Sequence, residues 1–120
     1  MKSGSASEIA LTLNETTKEK LRSVNIRSID PVDLSQLALR LHHEGYLAHE
    51  ALLQLGFYQL DYAGLIDPLE IGQSALEAIR SVNDATDALG VRLYESAIDA
   101  VIGIEQLSNY LNDRRVDVYA

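Results

Sequence analysis

Three histidines and two carboxylates crowd one short stretch, His42-His43-Glu44-Gly45-Tyr46-Leu47-Ala48-His49-Glu50. Imidazole and carboxylate are the ligand types that hold zinc and related divalent ions, and histidine also titrates near neutral pH. A metal centre or a pH-responsive turn built on His42, His43 and His49 is therefore one reading. The spacing opposes a metal. No two of these histidines stand four apart on one helical turn, and adjacent His42 and His43 on a helix point about 100° apart. A solvated helix–helix turn is the expected role, with neither metal nor cofactor.

A second group could serve contact with another protein. Phe57, Tyr58 and Tyr62 hold three of the seven aromatic residues, with Tyr58 and Tyr62 spaced i, i+4. A tyrosine ring buries apolar area while its hydroxyl bonds, which suits an interface centre. The competing reading puts Phe57 in the core and the tyrosines at its rim. Farther on, Val91, Tyr94, Ile98, Val101 and Ile102 form an apolar row at helical spacing that turns polar at Glu105. A carboxylate there either pairs with a basic residue of a partner or marks where the helix leaves the core. The partner-binding candidates are Phe57, Tyr58, Tyr62, Tyr94, Ile98, Val101, Ile102 and Glu105.

Parts for catalysis are missing from the sequence. There is no cysteine, no Gly-x-Ser-x-Gly elbow and no glycine-rich phosphate loop. Asp84 and Asp87 read as helix-start charges rather than an acid–base pair. An enzyme is not expected. Direct nucleic-acid binding is not expected either: His49 to Tyr62 carries Glu50 and Asp61 but no lysine or arginine to meet phosphates.

At 120 residues, 47% hydrophobic and 23% charged, the chain fits one globular domain. Its net charge is −8 and is unevenly spread. Residues 1–27 hold five basic against three acidic residues, whereas the remainder holds five arginines against fifteen acids. Such a body repels phosphates and favours basic protein partners, or it imitates nucleic acid to occupy one. No run of about 18 apolar residues exists, so no membrane association is expected, and a cytoplasmic protein is the default.

These groups must be positioned by helices. Residues 1–14 read as a flexible or extended arm, in which Ile9, Leu11 and Leu13 give a weak period-two strand signal; the start of a helix running through Thr16 to Val24 is the alternative for residues 9–13. Residues 15–115 read as one helical domain and 116–120 as a tail. Asp30-Pro31 and Asp67-Pro68 are both N-cap plus N1 proline starts. The first opens a helix with Leu34, Leu37, Ala38 and Leu41 inward, ended at Gly45. The next segment, Leu47 to about Tyr62, carries Ala51, Leu52, Leu55 and Leu60 and should return antiparallel. The second start opens a helix burying Ile71, Ala75, Ala78, Ile79 and Val82, with Leu76 beside them. A third, at Asn83 to Asp87, opens a long helix reaching Arg115.

The run Asp33-Leu34-Ser35-Gln36-Leu37, Leu41, Gly45-Tyr46-Leu47 and Glu50-Ala51-Leu52-Leu53 resembles the helix–Gly–helix hairpin of short oligomerisation modules such as SHOCT domains, over about twenty residues. It lacks their usual threonine and lysine positions. The resemblance implies hairpin geometry here and carries no functional residue.

The expected fold is all-α, an irregular four- to five-helix bundle with a long C-terminal helix at its centre or in a dimer interface. The expected function is a small acidic protein-interaction module, such as an adaptor, a regulator or a secretion-type chaperone, that forms a homodimer. The alternatives are the histidine-centred protein and the nucleic-acid mimic.

Overall fold

Both Asp-Pro pairs open helices in the computed structural model, which describes residues 6–81 and 88–119, with side chains over 8–81 and 89–112. The protein is all-α. Among the described residues there are six helices: α1 (Ala6–Thr12), α2 (Glu15–Ser23), α3 (Pro31–His43), α4 (His49–Asp61), α5 (Pro68–Ser81) and α6 (Ala88–Tyr119). The start signal expected over 83–87 lies outside the described residues, as does Val82.

The two caps work alike. Asp30 Oδ1 accepts the Val32 N–H at 2.9 Å, and Asp67 Oδ1 accepts those of Leu69 and Glu70 at 3.2 and 3.3 Å. Side-chain oxygens thereby satisfy donors that the first helical turn leaves orphaned. The structure also joins the two starts. Buried Ile29 and Ile66, each just before its cap, exchange backbone hydrogen bonds of 2.9 Å in an isolated antiparallel bridge. Helices α3 and α5 thus leave from one point, 37 residues apart in the chain.

Arg27 braces this junction, its Nε lying 2.9 Å from Asp67 Oδ1. Partial burial alone would raise the Asp67 carboxyl, but the Arg27 bond and the backbone donors of Glu70 and Leu69 outweigh it and hold the pKa below the ordinary 3.8. A depressed folded pKa stabilises the fold above the unfolded value and loses that stabilisation as pH falls through the folded one. Asp67→Asn, which still caps, should therefore flatten the acid limb of stability below about pH 4. Urea titrations from pH 2 to 6 check this, and identical limbs would refute it.

Of the readings of the N-terminal stretch, the structure takes the helical one, with a break between Thr12 and Glu15, and the arm or strand is set aside. Residues 6–12 form α1, and Ile9, Ala10 and Leu13 are buried while Leu11 is 82% exposed. A strand would place Ile9, Leu11 and Leu13 on one face with no strand to pair. A helix instead turns Ile9, Ala10 and Leu13 to α6. The tail reading also changes, because α6 continues to Tyr119.

Helix α6 is the axis of the molecule and packs against α1, α2, α4 and α5. Ala97, Ala100, Val101, Ile104, Leu107 and Leu111 are buried along it, so its wide apolar arc is covered largely within one chain. Ser108 Oγ donates to the Leu21 carbonyl at 2.8 Å, satisfying an acceptor of the last α2 turn. Helix α3 ends in a left-handed cap: Gly45 has φ 82°, and Tyr46 N–H donates to Leu41 O at 2.9 Å. The α5 face is turned from expectation. Leu69, Gly72 and Leu76 are buried, Ile71, Ala75 and Ile79 half-buried and Ala78 exposed. Gly72 is the reason: a Cβ there would stand 3.0 Å from Ile98 Cγ1, so the bare backbone lets α5 approach α6. Among the described residues no helix is long and apolar enough to cross a membrane.

Candidate functional site

Three of the expected contact residues converge on one cleft between α4, α5 and α6. Tyr58 comes from the last turn of α4, Tyr62 is the extended residue that caps the end of that helix, and Tyr94 comes from α6. The rings of Tyr58 and Tyr62 meet edge to face, with centroids 6.1 Å apart at 88°. Asp61 from α4 and Glu70 and Ser74 from α5 complete the exposed wall, around a volume of about 400 Å³. Neither carboxylate makes a salt bridge among the described residues, although the Arg27 guanidinium acts on Glu70 electrostatically from beyond contact distance.

Tyr58 is the deepest residue of this lining, 2% exposed. Its hydroxyl is buried and has no hydrogen-bond partner. Burial pushes its pKa up to about 12, and neighbouring Tyr94 and Tyr62 add to the rise. The Gln54 amide approaches and opposes the shift, but without hydrogen-bond geometry. A neutral hydroxyl is thus held at the inner end of the cleft, beside Gly72, where an added Cβ would lie 3.8 Å from it.

The other candidates are dispersed. Ile98 packs over Gly72, half-buried, and Val101 is fully buried in the core, so neither offers a free surface. Ile102 is 37% exposed on α6. Glu105 meets a cation within its own chain, Arg27 Nη1 at 3.9 Å. Phe57 is not core: it is 45% exposed, and Tyr58 takes the inward place.

The histidines do not form one cluster. His42 and His49 rings lie 5.8 Å apart, and His42 Nδ1–H donates to the Leu47 carbonyl at 2.9 Å. His43 lines another hollow with Lys20 and Arg40. Among the described residues no group of three or more histidine, cysteine or acidic side chains is placed to hold a metal ion. Glu44 lines the same hollow as His43, and its carboxylate is engaged elsewhere: it accepts the buried Thr17 hydroxyl and, at 2.7 Å, the Asn14 N–H.

Phe57 belongs to a second surface, the outer face of the α3–α4 hairpin. Val32 and Leu39 on α3 and Leu53, Phe57 and Leu60 on α4 are between 39% and 77% exposed. Small residues set the seam, since Ser35 Oγ is 3.5 Å from Gln59 Nε2 and 3.8 Å from where a Gly56 Cβ would stand. Helical rise from that register puts Leu39 level with Leu53, and Val32 level with Leu60. Leu60, expected among the apolar residues of its helix, is 77% exposed. The sequence signal for this face was the i, i+4, i+7 row Leu53, Phe57, Leu60, opposite Ala51, Leu55 and Tyr58. A helix apolar on both sides needs cover on both.

Comparison with family models, curated proteins and solved structures finds no match.

Proposed function

We propose that the protein is a non-enzymatic interaction module that self-associates through the outer face of its α3–α4 hairpin. The exposed row Val32, Leu39, Leu53, Phe57 and Leu60 carries this reading. Five half-exposed apolar side chains offer on the order of 500 Å² of apolar surface, near the upper end for a monomer. A stable dimer buries about 800 Å² per partner, roughly two-thirds of it apolar in homodimers, so the face is of the right size.

Charge selects the occupant. Two copies each carrying −8 repel, so contact between them is favoured where carboxylates are absent. Between the five apolar residues the hairpin carries Ser35, Gln36, Gly56 and Gln59, none of them charged, and the charges of Lys20, Arg40 and Glu44 border the face at its Leu39 end. A two-fold axis lets one such patch meet itself. The acidic remainder of the surface supports recruitment of a basic partner by the dimer, as an adaptor or regulator in the cytoplasm.

Light scattering and sedimentation from micromolar to millimolar chain concentration test this. The expected species is a dimer, and Phe57→Glu with Leu60→Glu weakens it ~100-fold or more, at unchanged helical circular dichroism. A wild-type monomer at millimolar concentration, or a variant that still dimerises equally well, would overturn the reading.

A further inference from the structure

The tyrosine cleft is separate from the hairpin face and has its own chemistry. We infer that the cleft between α4, α5 and α6 binds a primary alkylammonium group, with the Tyr58, Tyr62 and Tyr94 rings as its apolar and π walls and Asp61 and Glu70 as its counter-charges. The inference does not rest on self-association.

Four observations lead to it. The lining holds two carboxylates and no basic side chain, so its potential favours a cation. Neither carboxylate forms an ion pair within 4 Å among the described residues; Arg27 acts on Glu70 from a longer range, and Asp61 has no such neighbour. Three tyrosine rings share the cleft, and the edge-to-face setting of Tyr58 on Tyr62 leaves ring faces in different directions. An ammonium over such faces is attracted by the ring quadrupole, more strongly as water is excluded. The fourth is the Tyr58 hydroxyl, the one buried side-chain polar atom without a partner among the described residues. An unmet buried hydroxyl is costly, and a ligand donor reaching the inner end of the cleft removes that cost.

The hydroxyl also narrows the ligand. Its oxygen accepts a hydrogen bond from an N–H, which a primary ammonium has and a quaternary one lacks. A volume of about 400 Å³ holds a short alkyl chain with its charged head. The ammonium is therefore that of a lysine side chain in a peptide or of a free alkylamine.

The test titrates the full chain, at fixed ionic strength, with butylammonium chloride, with 1-butanol as the uncharged match, and with acetyl-Gly-Lys-Gly-amide. Amide and tyrosine-ring resonances are followed by NMR. Butylammonium should shift the Asp61, Tyr62, Glu70 and Ser74 signals saturably, and butanol at least tenfold more weakly. Asp61→Asn with Glu70→Gln, both exposed positions, should weaken binding tenfold or more at unchanged circular dichroism. Tyr62→Leu should weaken it several-fold. Tyr58→Phe keeps the ring and should weaken binding a few-fold while leaving the melting temperature unchanged or higher.

The peptide arm identifies the source. Binding of the lysine peptide at least as tight as that of butylammonium assigns the site to a basic side chain. Binding of butylammonium alone assigns it to a free amine. Equal binding of butylammonium and butanol, shifts centred on other carboxylates, or full affinity in the Asp61/Glu70 or Tyr58→Phe variants would overturn the inference. None of these results would alter the oligomeric state that tests the hairpin face.

Discussion

Leu55→Ala should cost the fold ~2–5 kcal/mol, while Leu60→Ala, five residues along the same helix, should change stability by less than ~0.5 kcal/mol in dilute solution. Leu55 has no exposed surface and sits in the inward face of α4 with Ala51 and Tyr58, whereas Leu60 is 77% exposed. Truncating Leu55 removes buried methyl groups and leaves a cavity that a close-packed interior fills only in part. A domain of this size has about 5–15 kcal/mol of stability in all, so the loss is a large share. Urea midpoints measured below the concentration at which copies associate give both numbers. Equal effects of the two substitutions would mean that α4 presents a different face to the core.

The Leu55–Leu60 contrast also shows what the sequence could and could not tell. Helix starts were legible because capping is local: Asp30 and Asp67 act within three residues of themselves. The all-α class and the antiparallel α3–α4 hairpin followed from periodicity for the same reason, whereas the end of α6, at Tyr119 rather than Arg115, did not. Which apolar residue faces inward on α4 was less legible, since leucines stand on both of its sides and only α6 and α3 choose between them. The fate of Ile9, Leu11 and Leu13 was decided by α6, from far along the chain. Sequence spacing paired Tyr58 with Tyr62, but Tyr94 joins them through the packing of α4 on α6, and α5 closes the cleft where Gly72 meets Ile98. Glu105 looked available to a partner because its own cation, Arg27, is remote in sequence. Val101 was on the right face for contact and is wholly covered by its own chain.

Glu44 illustrates the same gap and gives the second large effect. In the sequence it belongs to a histidine-rich turn; in the fold it fastens that turn to the start of α2. Glu44→Ala should destabilise the protein by ~2–3 kcal/mol, since hydrogen bonds to a charged group are worth ~1.5–3 kcal/mol and the buried partner is left unmet. That partner is Thr17, which has no exposed surface, so water cannot replace the lost acceptor without opening the structure. The Asn14 N–H also loses its acceptor, but it is exposed and rebinds water. This asymmetry makes a double-mutant cycle decisive. Thr17→Val should cost stability in the native background, where it removes one of the carboxylate's two donors. In the Glu44→Ala background it should be neutral or stabilising, because it removes the stranded hydroxyl at nearly constant shape. The coupling should reach ~1–2 kcal/mol. Additive effects would mean that Thr17 and Glu44 do not act as a pair. With the coupling present, Glu44 has a structural task that takes its carboxylate away from any ligand set with His42, His43 and His49.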